Sequence, residues 1–387
     1  MHFVIGANIN DSNTTGMGRQ MHGLGDALQA RDHRVDYLFR ESLGSRWWRR
    51  LSRFETPFRA AQRMGAFLGG SSIAPIAILH EPIAWATALF LKRRVRTLAM
   101  VHACESKCWG VRVRTRSLTG ENLSSGSRIW WPLTELTQTY ASLKAADGIL
   151  CLSTEDLDFI SNRIGVARDR IERIDNGLES QFLGLPFREQ EPERDLLFMG
   201  SWLPRKGIRI LIAALAKLTG AGIRAKLTLA GTGVAAETIR AQLPPAWRAS
   251  TEIVPHVPAD RLVDVYQRHR LLVLPSINEG IPLVVLEAMA CSLTPIVSST
   301  GGIPDVVDTG RNGILVKPLD SDALASALTW ALTEPGAASR LARSAHADVQ
   351  AYGWSRAASQ VERFCESRFG QRSGQSPSPS RLEMSLS

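Results

Sequence analysis

The strongest constraint on the fold is periodic: short apolar runs alternate with amphipathic helical stretches, and the series occurs twice. In the first half "HFVIGA", "RVDYLF", "IAILH", "RTLAMVH" and "DGILCLS" read as strands with helical sequence between them, the first helix running from Gly16 to Arg31. In the second half "LLFMG", "AKLTLAG", "TEIVP", "RLLVLPS", "TPIVSS" and "GILVKP" repeat the scheme, with helices from Lys206, Val234 and Leu283. Apolar strands separated by helices form parallel sheets covered on both faces. Between the two series, "GLPFREQEPERD" (184–195) is charged and holds two prolines, the texture of a linker. The expectation is an α/β chain of two Rossmann-like domains, residues 1–188 and 192–351, facing each other across a cleft. Ligands belong at the carboxyl ends of the strands. A helix over about 352–369 should pack back on the first domain, and the Ser/Pro/Gly-rich stretch 370–387 reads as a disordered tail.

Composition adds limits. A length of 387 residues suits two domains, and a net charge of +9 suits anionic partners. The five cysteines include no CxxC pair, and Cys104 and Cys108 lack a second pair to complete a zinc set, so reduced thiols are expected. "MHFVIGANIN" has no basic leader or cleavage site, so a signal peptide is not expected there. "IAPIAILHEPIAWATALFL" (73–91) is long enough to suggest a membrane span, but Pro75, His80, Glu81 and Pro82 interrupt it; it reads as strand, loop and helix. Residues 40–67 hold seven arginines against two glutamates, with Trp47, Trp48, Phe54, Phe58 and Phe67 interleaved. A basic aromatic helix of this kind suits an anionic membrane surface, the alternative being a solvated helix packed on its own domain.

The chemistry concentrates in "LPSINEGIPLVVLEAMA" (274–290), where Glu279 and Glu287 stand with seven residues between them. A strand ends at Pro275, a loop passes through Glu279 and Gly280, and a helix follows with Pro282 near its first turn. Gly280 lets backbone approach a ligand closely, and the amides from Ile281 to Val284, Leu283 among them, open a helix N-terminus that favours phosphate. Glu287, one turn on from Leu283, faces the same cleft. Two carboxylates flanking an anion site suit a molecule with hydroxyls at both ends and phosphates between, which describes a nucleotide-sugar.

This segment resembles the Glu-x7-Glu motif of the family-4 retaining glycosyltransferases, which have the GT-B fold. "TGGIPDVVDTGRNGILVKP" (300–318), "MGSWLPRKGIRILIAAL" (199–215), the stretch 146–180 and "TGMGRQMHGLGDALQARDHRV" (15–35) resemble the family's remaining signature segments, so the likeness covers about residues 1–369. It is weakest across 40–70 and 103–130. The resemblance implies that Glu287 binds the donor ribose, that Glu279 binds the transferred sugar with help from the Gly280–Leu283 backbone, and that Lys206 supplies a cation for the diphosphate. Glu279, Lys206 and His102 are the catalytic set it implies, His102 lying beside the sugar at the end of a strand.

Two departures stand out. The family's arginine after the strand glycine is Ser201 here, with Arg205 near enough in sequence to compensate; and Ser292 takes a place where glycine is common. Gly231 in "LAGTGV" is a strand-end phosphate or base-edge signal, and the loop at His256 matches the nucleobase region. Gly16 and Gly18 bracket a helix start that could bring an amide to the donor phosphate, the alternative being a simple tight turn. His80 is another strand-end candidate, and Glu105 and Lys107 are expected to face the acceptor.

The reading is thus a retaining, hexosyltransferase-type enzyme moving sugar from a nucleotide-sugar to a hydroxyl of a glycan or lipid-linked glycan, in surface polysaccharide or glycolipid synthesis. Another GT-B enzyme, such as a nucleotide-sugar epimerase, is the alternative. No Asp-x-Asp motif stands where this fold would use one, so neither metal nor other cofactor is expected; the nucleotide-sugar is a co-substrate. Nucleic acid is not an expected partner, since no helix-turn-helix, zinc or aromatic RNA-binding signature occurs. The expected location is cytoplasmic, peripheral on the inner face of the plasma membrane if residues 40–67 bind it.

Overall fold

A computed structural model describes residues 1–11, 15–44, 52–68, 74–120, 124–189 and 194–370. Trp47 and Trp48, and residues 371–387 of the expected tail, lie outside the described residues.

The first sheet contains β1 (His2–Gly6), β2 (Arg34–Leu38), β3 (Ile76–His80), β4 (Arg96–Val101), β5 (Gly148–Cys151) and β6 (Ile171–Arg173) in the order β2-β1-β3-β4-β5-β6. The second contains β7 (Arg194–Met199), β8 (Leu227–Ala230), β9 (Thr251–Val254), β10 (His269–Leu274), β11 (Thr294–Ser298) and β12 (Ile314–Val316) in the order β12-β11-β10-β7-β8-β9. Every pairing is parallel. The apolar runs form strands because helices cover both faces: β1, β5, β8 and β11 are buried along their whole length. Sequence reading had no strand at β6, whose three residues are too few to show a period.

Both sheets reverse direction once. In the first the switch falls between β1 and β3, in the second between β7 and β10. Crevices open beyond the carboxyl ends of strands at such points. The loops that leave β7 and β10 for helices Ile208–Gly220 and Leu283–Ala290 carry Lys206 and Glu279, and the loop that leaves β1 ends where helix Gly16–Gln29 begins. The two crevices face each other.

The last helix, Trp354–Phe369, lies against helix Gly16–Gln29 of the first domain. Its Trp354 indole fills the space over Gly23 and Gly177, where an added Cβ would come within 2.3 Å of the ring at each position. Glu362 pairs with Arg31 at 2.6 Å and His33 at 2.5 Å, and the amide of Leu178 donates to the carbonyl of Tyr352 at 2.7 Å. The stretch 73–91 resolves into β3, a turn and helix Ala84–Phe90, and no helix among the described residues is long and apolar enough to cross a membrane. All five cysteines are free thiols. Ser292 has φ of 69°, the left-handed conformation that explains a preference for glycine there.

Candidate active site

The loop after β10 is folded against its neighbours with little slack. The amide of Ile277 donates to the carbonyl of Arg205 at 2.8 Å. Gly207, at φ of 74°, sits so close to Pro275 that a Cβ would lie 1.8 Å from that carbonyl oxygen. The "PRKG" turn is thereby fixed beside the Glu279 loop. Lys206 Nζ donates to Glu279 Oε1 at 2.5 Å, Ser276 Oγ donates to the same oxygen at 2.8 Å, and Arg205 Nη1 lies 3.8 Å from Oε2. Burial pushes the Glu279 carboxyl up, but the Lys206 and Arg205 charges and the two hydrogen bonds outweigh it, holding it below its ordinary value. Glu279 is an ionised acceptor flanked by cations. Arg205, half exposed, stands at this carboxylate, while Ser201 is exposed.

Glu287 lies in helix Leu283–Ala290 and is 1% exposed. Tyr266 Oη donates to its Oε2 at 2.6 Å. Its Oε1 meets Arg19 Nη2, also at 2.6 Å, and Arg19 Nε donates to Glu179 Oε1 at the same distance. Arg19 comes from helix Gly16–Gln29 of the first domain, so this ion pair crosses the cleft. Burial outweighs Arg19 and Tyr266 and keeps the Glu287 carboxyl above its ordinary value.

From the first domain, β4 delivers His102 and β3 delivers His80, with ring centroids 5.1 Å apart. Burial lowers both; His80 falls to about 4, and His102 goes well below the usual range, helped by His80. His102 is therefore a neutral imidazole, and its buried Nε2 has no protein partner. Its carbonyl oxygen touches the second domain: a Cβ on Gly280 would lie 1.8 Å from it. Asn176 Nδ2 donates to the carbonyl of Ile281 at 2.9 Å, and Glu155 Oε2 accepts from the amide of Gly301 at 2.5 Å. Pro282 is the N-cap residue and Leu283 the first helical residue. Gly280, Ile281, Pro282 and Leu283 thus form a backbone ledge pressed against the first domain.

Arg205, Lys206, Glu279, the ledge, Glu287 and His102 converge. Gly16 is exposed at its helix start, where Thr15 caps the helix by accepting from the amide of Gly18 at 3.1 Å. Gly231 ends β8 at φ of 67°, near Met199 and Gly200, and His256 is exposed after β9. Gly231 follows β8, which neighbours β7, and His256 follows β9 at the sheet edge beyond it. Lys107 does not face an open acceptor space as the sequence suggested. It is buried against Asp156 at 2.6 Å and Glu155 at 3.4 Å, while Glu105 accepts from the Trp131 indole at 2.8 Å. Sequence reading missed Arg19, Glu179, Tyr266, Ser276 and Asn176. The only signal was Arg19 inside "TGMGRQ", and nothing local pairs it with Glu287.

Residues 14–182 match the family model described as Glycosyltransferase Family 4, and residues 186–348 match Glycosyl transferases group 1. Glycogen synthase of Mycobacterium tuberculosis is 31% identical over 208 residues, 52% of this chain and 50% of that one. The chain spans about half the length of the first such relatives. Among solved structures, sucrose-phosphate synthase from Thermosynechococcus elongatus superposes with a TM-score of 0.76 at 20% identity, covering 96% of this chain and 100% of that one. Anabaena HepE in complex with UDP-glucose superposes with a TM-score of 0.66 at 16% identity, covering 94% and 99%. The fold is GT-B, and both halves of the chain match glycosyltransferase models.

Proposed function

We propose that this glycosyltransferase fold moves a sugar from a nucleotide-sugar to a hydroxyl acceptor with retention at the anomeric carbon. The observation that carries the reading is the convergence of Lys206, Arg205 and Glu279 at one mouth of the cleft, with Glu287 one helix turn beyond. An ionised Glu279 accepts hydrogen bonds from sugar hydroxyls, and the adjacent cations neutralise the leaving diphosphate. Residues 192–351 hold the donor, with the base toward Gly231 and His256. Residues 1–188 hold the acceptor, with Gly16 and Gly18 approaching the phosphate. The chain needs no metal or other cofactor in this scheme. The UDP-glucose bound to HepE and the glycogen synthase relative support a nucleotide-sugar donor and a glycan acceptor.

In the transfer step the acceptor oxygen bonds to the anomeric carbon on the face from which the diphosphate departs. The carbon–oxygen bond to phosphate breaks, and the acceptor proton passes to the departing phosphate. His102, neutral and with a buried open nitrogen, fits a hydrogen bond to the sugar rather than a positive charge. Glu287 binds the ribose diol in exchange for Arg19. The acceptor is a growing surface glycan or its lipid-linked precursor, which would place the chain in the cytoplasm at the inner membrane face.

The test is a thermal-shift panel of UDP-, GDP-, ADP- and dTDP-sugars, since a ligand of the native state raises its melting temperature. One donor should stabilise the protein, and free nucleotide should appear only with an acceptor. Stabilisation by none refutes the assignment, and sugar epimerisation without nucleotide release would make the protein an epimerase.

A further inference from the structure

A second surface is built for a partner. Phe58, Leu89, Phe90, Ile129, Trp130 and Leu133 are each 50% to 64% exposed. Among the described exposed large apolar side chains, only Leu203 and Trp330 lie outside residues 58–140. The helices that carry them adjoin: Ser52–Ala66 packs on Ala84–Phe90, which packs on Thr137–Ala145, and the turn Pro132–Leu136 joins that helix to Ser125–Trp131. Phe58 meets Phe90 with ring centroids 6.0 Å apart and Trp85 at 5.1 Å. Exposed apolar side chains gathered on adjoining helices mark an interaction site.

Charge decides the occupant. Lys92, Arg93 and Arg94 follow Leu89, Phe90 and Leu91 in sequence and are exposed; Arg128 is exposed next in sequence to Ile129 and Trp130. From residue 82 to 140, Glu105 and Glu135 are the only acidic residues among those described, against nine lysines and arginines, and Glu105 accepts from the Trp131 indole. Two copies meeting through this face would set like charges together. Half of the face, Leu89, Ile129 and Leu133, is aliphatic and suits acyl chains rather than the stacking of bases that Phe58, Phe90 and Trp130 alone could offer. Apolar side chains rimmed by exposed cations suit lipid acyl chains beneath anionic headgroups.

We infer that this face of the first domain docks on an anionic membrane surface. It is made without residues 45–51, and it does not depend on the sugar-transfer reading. Helix Glu105–Thr119 links it to the cleft: its first turn adjoins Glu81, and its end reaches Arg209 of the second domain, whose guanidinium would lie 2.1 Å from a Cβ on Gly120.

The experiment is co-sedimentation of the full chain with phosphatidylcholine vesicles, with and without about 30 mol% phosphatidylglycerol. Expected is at least about tenfold more binding to the anionic vesicles, reduced at high salt. F90D/W130D and, separately, K92E/R93E/R94E should each lower it about tenfold while keeping the wild-type melting temperature and its response to donor. Equal binding to both vesicle types, or wild-type binding by both variants, would overturn the inference. So would a dimer in light scattering that F90D/W130D dissociates, because the face would then belong to a second copy. Failure of the donor panel leaves this result standing, and the reverse holds too.

Discussion

Replacing Arg19 by alanine should destabilise the protein in a way that grows with pH. The change leaves Glu287, 1% exposed, with Tyr266 as its remaining partner. Stranding one charge of a buried pair costs about 3–5 kcal/mol. Protonation caps that cost. Placing a proton on a carboxyl of ordinary pKa 4.5 costs about 1.4 kcal/mol per pH unit above it, hence about 4 kcal/mol at pH 7.5 and about 1.4 kcal/mol at pH 5.5. The sign follows from the raised folded-state value: stability from such a group is complete below its unfolded pKa and is lost as pH rises through the folded one. Arg19→Ala should therefore lose about 3 kcal/mol at pH 7.5 and about 1 kcal/mol at pH 5.5. At about 2–4 °C per kcal/mol, that is a fall in Tm of about 6–12 °C against about 2–4 °C. Thermal unfolding of R19A, E287Q and R19A/E287Q at both pH values checks it. The double variant should recover to within about 1 kcal/mol of E287Q, because no carboxylate is left to strand. Equal losses at the two pH values, or no recovery in the double variant, would refute the reasoning.

Four further outcomes are expected. Gly280→Ala drives a methyl group to 1.8 Å from the His102 carbonyl, so the domains must part, and turnover should fall at least about a hundredfold when initial rates are measured with saturating donor. Lys206→Ala should cut turnover about 10²–10³-fold and shrink the donor-induced thermal shift, whereas Glu279→Gln should impair transfer more than nucleotide binding, as calorimetry with the free nucleotide can separate. His80, depressed from 6.5 to about 4, should make native stability decline as pH falls through that interval; Tm measured from pH 7.5 to 4.5 should be flatter in His80→Asn.

Strands buried on both faces announced themselves as unbroken apolar runs, and their spacing allowed only helical crossovers. β6 escaped because "IER" is too short to carry a period. The Glu279 loop was legible because its constraints are local: strand end, Gly280, Pro282 and helix start follow one another in the chain. Arg205 was placed by proximity in sequence to a turn that Gly207 fixes. The link from Arg19 to Glu287 had no such trace, since it exists only when two domains close and bring distant helices together. Lys107 misled for the same reason: its partner Asp156 lies on another crossover, and burial of the pair turns an apparent cleft cation inward. Of the interleaved aromatic residues expected at the surface, Trp47 and Trp48 lie outside the described residues, Phe58 is exposed and Phe54 and Phe67 are half-buried; Phe90, which meets Phe58, and Trp130 are exposed where no sequence signal marked them.

The helix Trp354–Phe369 has a consequence for biosynthesis. Domains emerging from a ribosome generally mature in order, the N-terminal one first. Here the hollow over Gly23 and Gly177 is filled by Trp354, and Arg31 and His33 await Glu362. The first domain cannot close its own core until nearly the whole chain has been made, so the later domain has the chance to finish before the earlier one. A nascent chain stalled at the linker would show its unfilled groove to chaperones, and the closing step would join both halves in one event.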